Sequence, residues 1–490
     1  MLKRIGSDSL KKEIRIGDCE SLKPFDIGLE FNAPVHGTWN IVHIGLQMPQ
    51  AHQVYVCADN CMRGVVMTAA EMDEIERFHS VILYENDILN GSLENETIEG
   101  VSDLIEKMEE RPEVIQLFTV CLHHFLGCDL DFVYATLSKR FPDICFIRCY
   151  MDPILQRTSY TPEQKLRNAM LEMIGPMDIK NNIYVLGCDV PLKKDSYIFK
   201  IAGLYGFNVK EIWDLKTFEE YKKIGDGALY ITNYPTGIMG VSQMAQRLNR
   251  PYLYLPITAN TDEIDININE YEKKLQSIIQ ESNNNKSNDA NAENAENIEN
   301  TENTYNETSG SNVNYDKECH RIKELADRKC SDVKAAIGDV KIVVDYTAVP
   351  RPLSLCMYLL DNGFNVEKVY LDGISGEEEE IFYEIKNKYP NLYLSSTIHV
   401  SDRTANRDRN EKILAIGQKA AWFNNTDYFV NIIEGGGNIG YEGIIHLLEE
   451  LKEAFLNPKD MDSIVPKKGH GLCNCEVVSM QDLKIGDYYE

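Results

Sequence analysis

Short apolar runs alternate along most of this chain with segments whose apolar positions recur at helical spacing, the pattern of strands feeding helices in parallel sheets. From Asn182 to Gly187 the pattern predicts a strand, from Tyr197 to Tyr205 a helix, from Gly227 to Thr232 a strand, from Gly237 to Leu248 a helix, and from Pro251 to Pro256 a strand. The alternation breaks at Glu281, and to about Ser311 the chain is rich in Asn and Glu with almost no apolar residues, too few to bury and so to order itself. It then resumes with a strand from Val340 to Asp345, a helix from Pro352 to Asn362, a strand from Val366 to Leu371 and a helix from Glu377 to Lys388. Asn391 to Leu394, a segment from Asn410 to Phe423, Tyr428 to Ile433 and a helix from Tyr441 to Phe455 complete the series. The expected fold class is therefore α/β, with several Rossmann-like parallel-sheet domains. Two similar units, 177–278 and 316–460, flank an unstructured insert, 279–315; an N-terminal α/β domain, 1–176, precedes them and a tail, 461–490, follows.

At 490 residues and 43% hydrophobic content the chain can build several cores. Its 77 acidic against 50 basic residues give a net charge of -27, which argues against a nucleic-acid surface and leaves room for a basic protein partner. The start, Met1 to Gly6, lacks a signal-like apolar segment, and no stretch approaches the roughly 18 apolar residues needed to cross a bilayer. The expectation is a cytoplasmic protein with no membrane contact. His36 and His43 fit a packed N-terminal helix, and Glu377 to Glu380 fit a solvated helix start favoured by the helix dipole.

Thirteen cysteines without a secretion signal point to buried thiols, metal ligands or redox groups rather than a disulfide framework. Cys145, Cys149, Cys188, Cys330 and Cys356 lie in apolar patterns where a thiol acts as a small hydrophobe. Two groups differ. Cys57 and Cys61 follow the apolar run Val54–Val56, and Cys121 and Cys128 follow Val114–Val120, so both pairs leave strand ends on a rigid scaffold. Thiolates gathered there suit an iron–sulfur cluster. A closed tetrahedral zinc site borrowing His123 or His124 is the competing reading, and four plain buried thiols the third. Cys473 and Cys475, with His470, fit a further metal site, a redox pair or a loose terminal segment. Gly435, Gly437 and Gly440 match G-x-G-x-x-G literally, yet the acidic residue expected about 20 positions on would fall in the tail near Asp460 to Pro466. A helix start there still suits an anionic group.

The order of these elements resembles nitrogenase component 1, the molybdenum–iron protein family that includes cofactor scaffolds and tetrapyrrole reductases, and the resemblance covers nearly the whole chain. Val56-Cys57-Ala-Asp-Asn-Cys61 stands where that family has His-Gly-Pro-x-Gly-Cys, and Val120-Cys121 through Gly127-Cys128-Asp129-Leu130 where it has Thr-Cys-x-x-x-x-Ile-Gly-Asp-Asp-Ile. Gly227 to Asn233, Met239 to Leu248, Arg250 to Pro256, and Gly435 to Pro458 follow its later elements. The resemblance implies cluster ligands at Cys61 and Cys121. Cys57 and Cys128 depart from the family pattern, and Cys57 replaces the family's earliest cluster cysteine, whose place near Val35 holds none. It implies a 4Fe-4S or P-cluster-like centre, tuned by Arg63 and His123. The family's Cys and His that anchor the molybdenum–iron cofactor fall at Asn233 and Ile439, so no such cofactor is expected and dinitrogen is an unsuitable substrate. The implied activity is an oxidoreductase, reducing an unidentified substrate with electrons from a P-loop ATPase reductase; no Walker A sequence occurs in this chain. Its implied assembly is a homodimer or a pair with a paralogous second subunit. The alternatives are a non-catalytic scaffold for metal-cofactor assembly and a structural zinc protein.

Overall fold

A computed structural model describes residues 12–25, 40–151, 160–293, 315–399, 411–459, 461, 464–466 and 477–479. Strand β1 (Glu13–Arg15) is followed by β2 (Ala51–Cys57), β3 (Phe78–Ile82), β4 (Val114–Val120) and β5 (Cys145–Met151). Next come β6 (Asn182–Val185), β7 (Asn208–Glu211), β8 (Leu229–Thr232) and β9 (Tyr252–Tyr254). The last set is β10 (Lys341–Asp345), β11 (Val366–Tyr370), β12 (Tyr393–Ser395), β13 (Ile413–Ile416) and β14 (Phe429–Val430). They form three sheets in the orders β3-β2-β4-β5, β7-β6-β8-β9 and β1-β12-β11-β10-β13-β14. Every pairing is parallel except β1 on β12. The α/β class with several parallel sheets thus holds. In each sheet the order reverses once, between β2 and β4, β6 and β8, and β10 and β13. Crevices outside the carboxyl ends of such strands are where open α/β sheets bind ligands.

Helices cover both faces of the first sheet, so β4 is buried throughout and reads as a continuous apolar run apart from Gln116 and Thr119. Gln116 lies opposite Gln53 of β2, and the two fully buried amides bond at 3.2 Å. Gln53 Nε2 donates to the Val42 carbonyl at 3.0 Å and Gln116 Nε2 to that of Gly45 at 2.9 Å, pinning the helix Ile41–Leu46 across the sheet. A side chain at Gly45 would start 2.3 Å from Gln53 Nε2 and so would push the paired amides out of register with the helix. His43 belongs to that packed helix, as expected, and its Nδ1 accepts from the Asn40 N–H. His36 and Val35 lie outside the described residues.

One buried cluster joins the first two sheets, with Tyr55 and Phe118 packed in common with Tyr184 and Tyr230. Another joins the second and third, from Ile183 and Ile231 to Ile342 and Ile416. The units are therefore fused by shared cores rather than strung on linkers. Because β1 pairs with β12, Glu13–Arg15 adds to the third sheet, a departure from the expected 1–176 unit. The segment 410–423 resolves into β13 and the helix Gln418–Asn424. Of the insert expected to be unstructured, residues 279–293 continue the helix Thr261–Glu293, and Tyr315, 3% exposed, opens the helix Tyr315–Ile337. The buried positions Ile264, Ile268, Tyr271 and Leu275 anchor the first of these helices before its sequence turns polar. From the tail, Ile464–Pro466 and Val477–Ser479 pair as an antiparallel ladder; Cys473, Cys475 and His470 lie outside the described residues.

The acidic run at Glu377 to Glu380 corrects another expectation. Glu378 is 2% exposed, not solvated, and its Oε1 accepts the Ser354 N–H at 2.8 Å near the start of the helix Pro352–Asp361. Burial raises its carboxyl to about 7, against the opposing pull of the Ser354 N–H and Arg351. A carboxyl raised on folding stabilises the protein most below its ordinary value, and that contribution is lost as pH rises through about 7. Glu378→Gln should accordingly flatten the fall in unfolding free energy between mildly acidic and neutral pH, by up to about 3 kcal/mol. Denaturant melts of both proteins across that range check it.

Candidate functional site

The order reversal of the first sheet places the carboxyl ends of β2 and β4 side by side, and those ends carry the cysteines. Cys57 is the last residue of β2, Cys61 lies in the first turn of the helix Asp59–Glu71, and Cys121 opens the short helix Cys121–Phe125 directly after β4. Val56 pairs with Thr119, so Cys57 and Cys121 leave adjacent strands within a residue or two of one another along the sheet. Their electrostatics agree. The Cys61 thiol is raised by burial and then by Cys121, while Cys57 is raised to about 12 by burial and then by Cys61. Cys57 and Cys61 on the β2 side and Cys121 on the β4 side thus flank one topological switch point, with Cys61 in electrostatic reach of each of the other two. Cys57 is fully buried with its Sγ 3.2 Å from Met62 Sδ, Cys121 is half-buried, and Cys61 is exposed.

Cys128 stands apart from this group. Burial raises it to about 12, followed by Glu94, whose Oε1 also accepts the Asp129 N–H at 2.9 Å. Among the described residues no three His, Cys, Asp or Glu side chains gather as ligands of one metal ion. His123, 2% exposed, has both ring nitrogens engaged: Nδ1 accepts the Val120 N–H at 3.2 Å and Nε2 lies 3.3 Å from Thr97 Oγ1. Burial lowers it to about 4, leaving a neutral ring that braces the turn after β4. A single zinc ion, which needs its four donors within about 2.3 Å, would require rearrangement of this packing. A donor set of thiols is compatible with an iron–sulfur cluster as well as with zinc. The Arg63 side chain lies outside the described residues. The segments leaving β3 and β4 expose the large apolar side chains Tyr84 (69%), Leu89 (80%), Phe125 (67%) and Leu126 (51%).

The other two switch points carry Asp189 and Lys419, which the sequence did not single out, beside Cys188 and Asn233, which it did. After β6, Asp189 (1% exposed) accepts from Arg167 Nη2 at 2.6 Å through both oxygens and from Gln47 Nε2 at 3.1 Å. Beside it Asn233 Nδ2 donates to the Leu255 carbonyl at 2.6 Å, and the Cys188 thiol donates to its Oδ1 at 3.3 Å. After β13, Lys419 (8% exposed) donates to the Tyr346 hydroxyl at 2.9 Å. Nothing in the spacing of Asp189 or Lys419 marks them, since their partners come from other elements. The run Gly435–Gly437 is left-handed throughout, and a Cβ on Gly437 would meet the Pro191 carbonyl oxygen at 2.0 Å. At Gly437 the requirement for glycine thus comes from packing against the second unit, without any nucleotide.

No family profile and no curated protein matches this chain. Among solved structures, a nitrogenase Cp1 chain at pH 6.5 superposes with a TM-score of 0.57 at 12% identity, covering 88% of this chain and 95% of that one. A nitrogenase Cp1 chain at pH 5 gives 0.50 at 12% identity, over 93% and 95%. The likeness shows a common fold. Among the described residues no helix is long and apolar enough to cross a membrane.

Proposed function

We propose that this chain is a nitrogenase component 1-like subunit, an iron–sulfur oxidoreductase rather than a structural zinc protein. The observation that carries the reading is the placement of Cys57, Cys61 and Cys121 at the adjacent carboxyl ends of β2 and β4, the switch point of the first sheet. These three thiols would hold the cluster, with Cys128 set against Glu94 outside the group; a bound cluster supplies one-electron transfer. The chain's own contribution is a rigid seat: β2 and β4 fix two of the thiols, and neutral His123 holds the turn that presents Cys121. Tyr84, Leu89, Phe125 and Leu126 would be covered by a second copy or a paralogous subunit. Electrons would come from a separate P-loop ATPase reductase, since this chain has no Walker A sequence. Dinitrogen reduction on a molybdenum–iron cofactor is not part of the reading: Asn233 is 1% exposed with its amide satisfied internally, and Ile439 offers no donor.

Anaerobic purification from iron-replete cells tests the proposal. Brown protein with iron and acid-labile sulfide in near-equal amounts supports it, and colourless protein with stoichiometric zinc sinks it. Turnover with a reductase partner then separates an enzyme from a cofactor-assembly scaffold.

A further inference from the structure

At the carboxyl ends of β4 and β5 lies a half-open cavity with about 370 Å³ of water-accessible space. Thr119 and Val120 line it from the end of β4, Tyr150 from the end of β5, and Lys165 from the helix Pro162–Glu172; the segment after β4 adds His124 and Leu130. None of Cys57, Cys61 and Cys121 takes part. An apolar cavity of about 150 Å³ already takes up benzene, so this one has room for a ring carrying a short chain.

Val120, Leu130 and the Tyr150 ring give the cavity an apolar body, and its charges narrow what completes it. The Lys165 ammonium lies over the Tyr150 ring, 5.9 Å from its centroid, and among the described residues no carboxylate pairs with it. The Tyr150 hydroxyl also has no hydrogen-bond partner among those residues, and burial raises it above its ordinary value, so it stays a donor. Cys128 lines the cavity without bringing charge, since burial and Glu94 raise its thiol to about 12. The carboxylates that act on Tyr150 are already engaged. Asp131 accepts from Arg148 at 2.6 Å, and Glu172 accepts from Asn168 Nδ2 at 2.6 Å. One unshared cation is therefore set beside a free phenol, in a space that is otherwise mostly apolar. That set matches a single negative charge: a dianion would leave one charge unmet near Asp131 and Glu172, and a cation would meet Lys165.

We propose that this cavity binds a small monocarboxylate on an aromatic body. The carboxylate accepts from Lys165 Nζ and the Tyr150 hydroxyl, and the ring packs against Val120 and Leu130. The site needs no metal, so the proposal stands or falls separately from the cluster.

Phenylacetate and phenylacetamide, alike in shape and different in charge, are the probes, with phenyl phosphate as a dianion; binding to the full chain without metal is read by saturation-transfer NMR. Phenylacetate should bind, and phenylacetamide about tenfold more weakly. Lys165→Met should cut phenylacetate binding about tenfold and leave phenylacetamide unchanged, at an unaltered melting temperature because the ammonium has no ion pair to lose. Tyr150→Phe keeps the ring and should weaken phenylacetate severalfold. Equal binding of phenylacetate and its amide, full phenylacetate binding by Lys165→Met, tighter binding of phenyl phosphate, or no binding of any probe would overturn the proposal.

Discussion

Asp189→Ala is expected to destabilise the protein by about 3–5 kcal/mol, the cost of leaving one partner of a buried ion pair alone. Arg167 is 3% exposed and would keep only Glu163, at 3.0 Å on its own helix and 31% exposed. Burial alone would lower the guanidinium, yet Asp189 and then Glu163 hold it well above its ordinary value. The cost is not confined to one side chain. Asp189 follows β6 of the second sheet, Arg167 sits on the helix Pro162–Glu172 that packs on β5, and Gln47 caps the helix pinned to β2 and β4. Their junction is where the first two sheets share a core, so its loss should loosen the docking of one unit on the other. Urea melts followed by circular dichroism check the size of the effect. Pairing Asp189→Leu with Arg167→Met should recover most of it, because replacing both charges removes the stranded cation.

The strands were legible in the sequence because parallel sheets covered on both faces need uninterrupted apolar runs, and β4, β8 and β10 are such runs. What those runs do not encode is order within a sheet. The alternation predicts β2 and β4 as strands but not that they are neighbours, and it is adjacency that brings Cys57 and Cys61 to Cys121. The departure of Cys128 from the group has the same origin: it is close to Cys121 in sequence, yet the turn at Gly127 carries it to Glu94 on another helix. Composition misled at Glu281 to Glu293, where polar residues extend a helix already anchored by Ile264 to Leu275, since propagation is easier than nucleation. It misled at Glu378 too, where one carboxylate of four is turned inward to meet a helix start. Asp189 and Lys419 carried no signal, because their surroundings are assembled from separate strand ends.

Single serine substitutions should divide the four candidate thiols in a way that their sequence spacing does not. Cys61→Ser and Cys121→Ser should each lower iron and sulfide content by about tenfold or more, since a hydroxyl is a poor ligand for iron in a soft sulfur site. Cys128→Ser should leave most of the cluster in place, because its thiol sits with Glu94 rather than with the other three. Cys57→Ser is the discriminating case. Its Sγ is buried against Met62 and strongly disfavours ionisation, so to become a ligand it must turn from that contact toward Cys61. If Cys57 replaces the family's missing early cysteine, its serine variant should fail to load as completely as Cys61→Ser while keeping the same melting temperature without metal. Full loading in that variant would assign Cys57 to the core and leave two thiols per chain, a number that seats a four-iron cluster only when a second chain provides the other two. Iron and sulfide assays on the four variants, with sedimentation of the loaded protein, distinguish a cluster held by one chain from one shared between two.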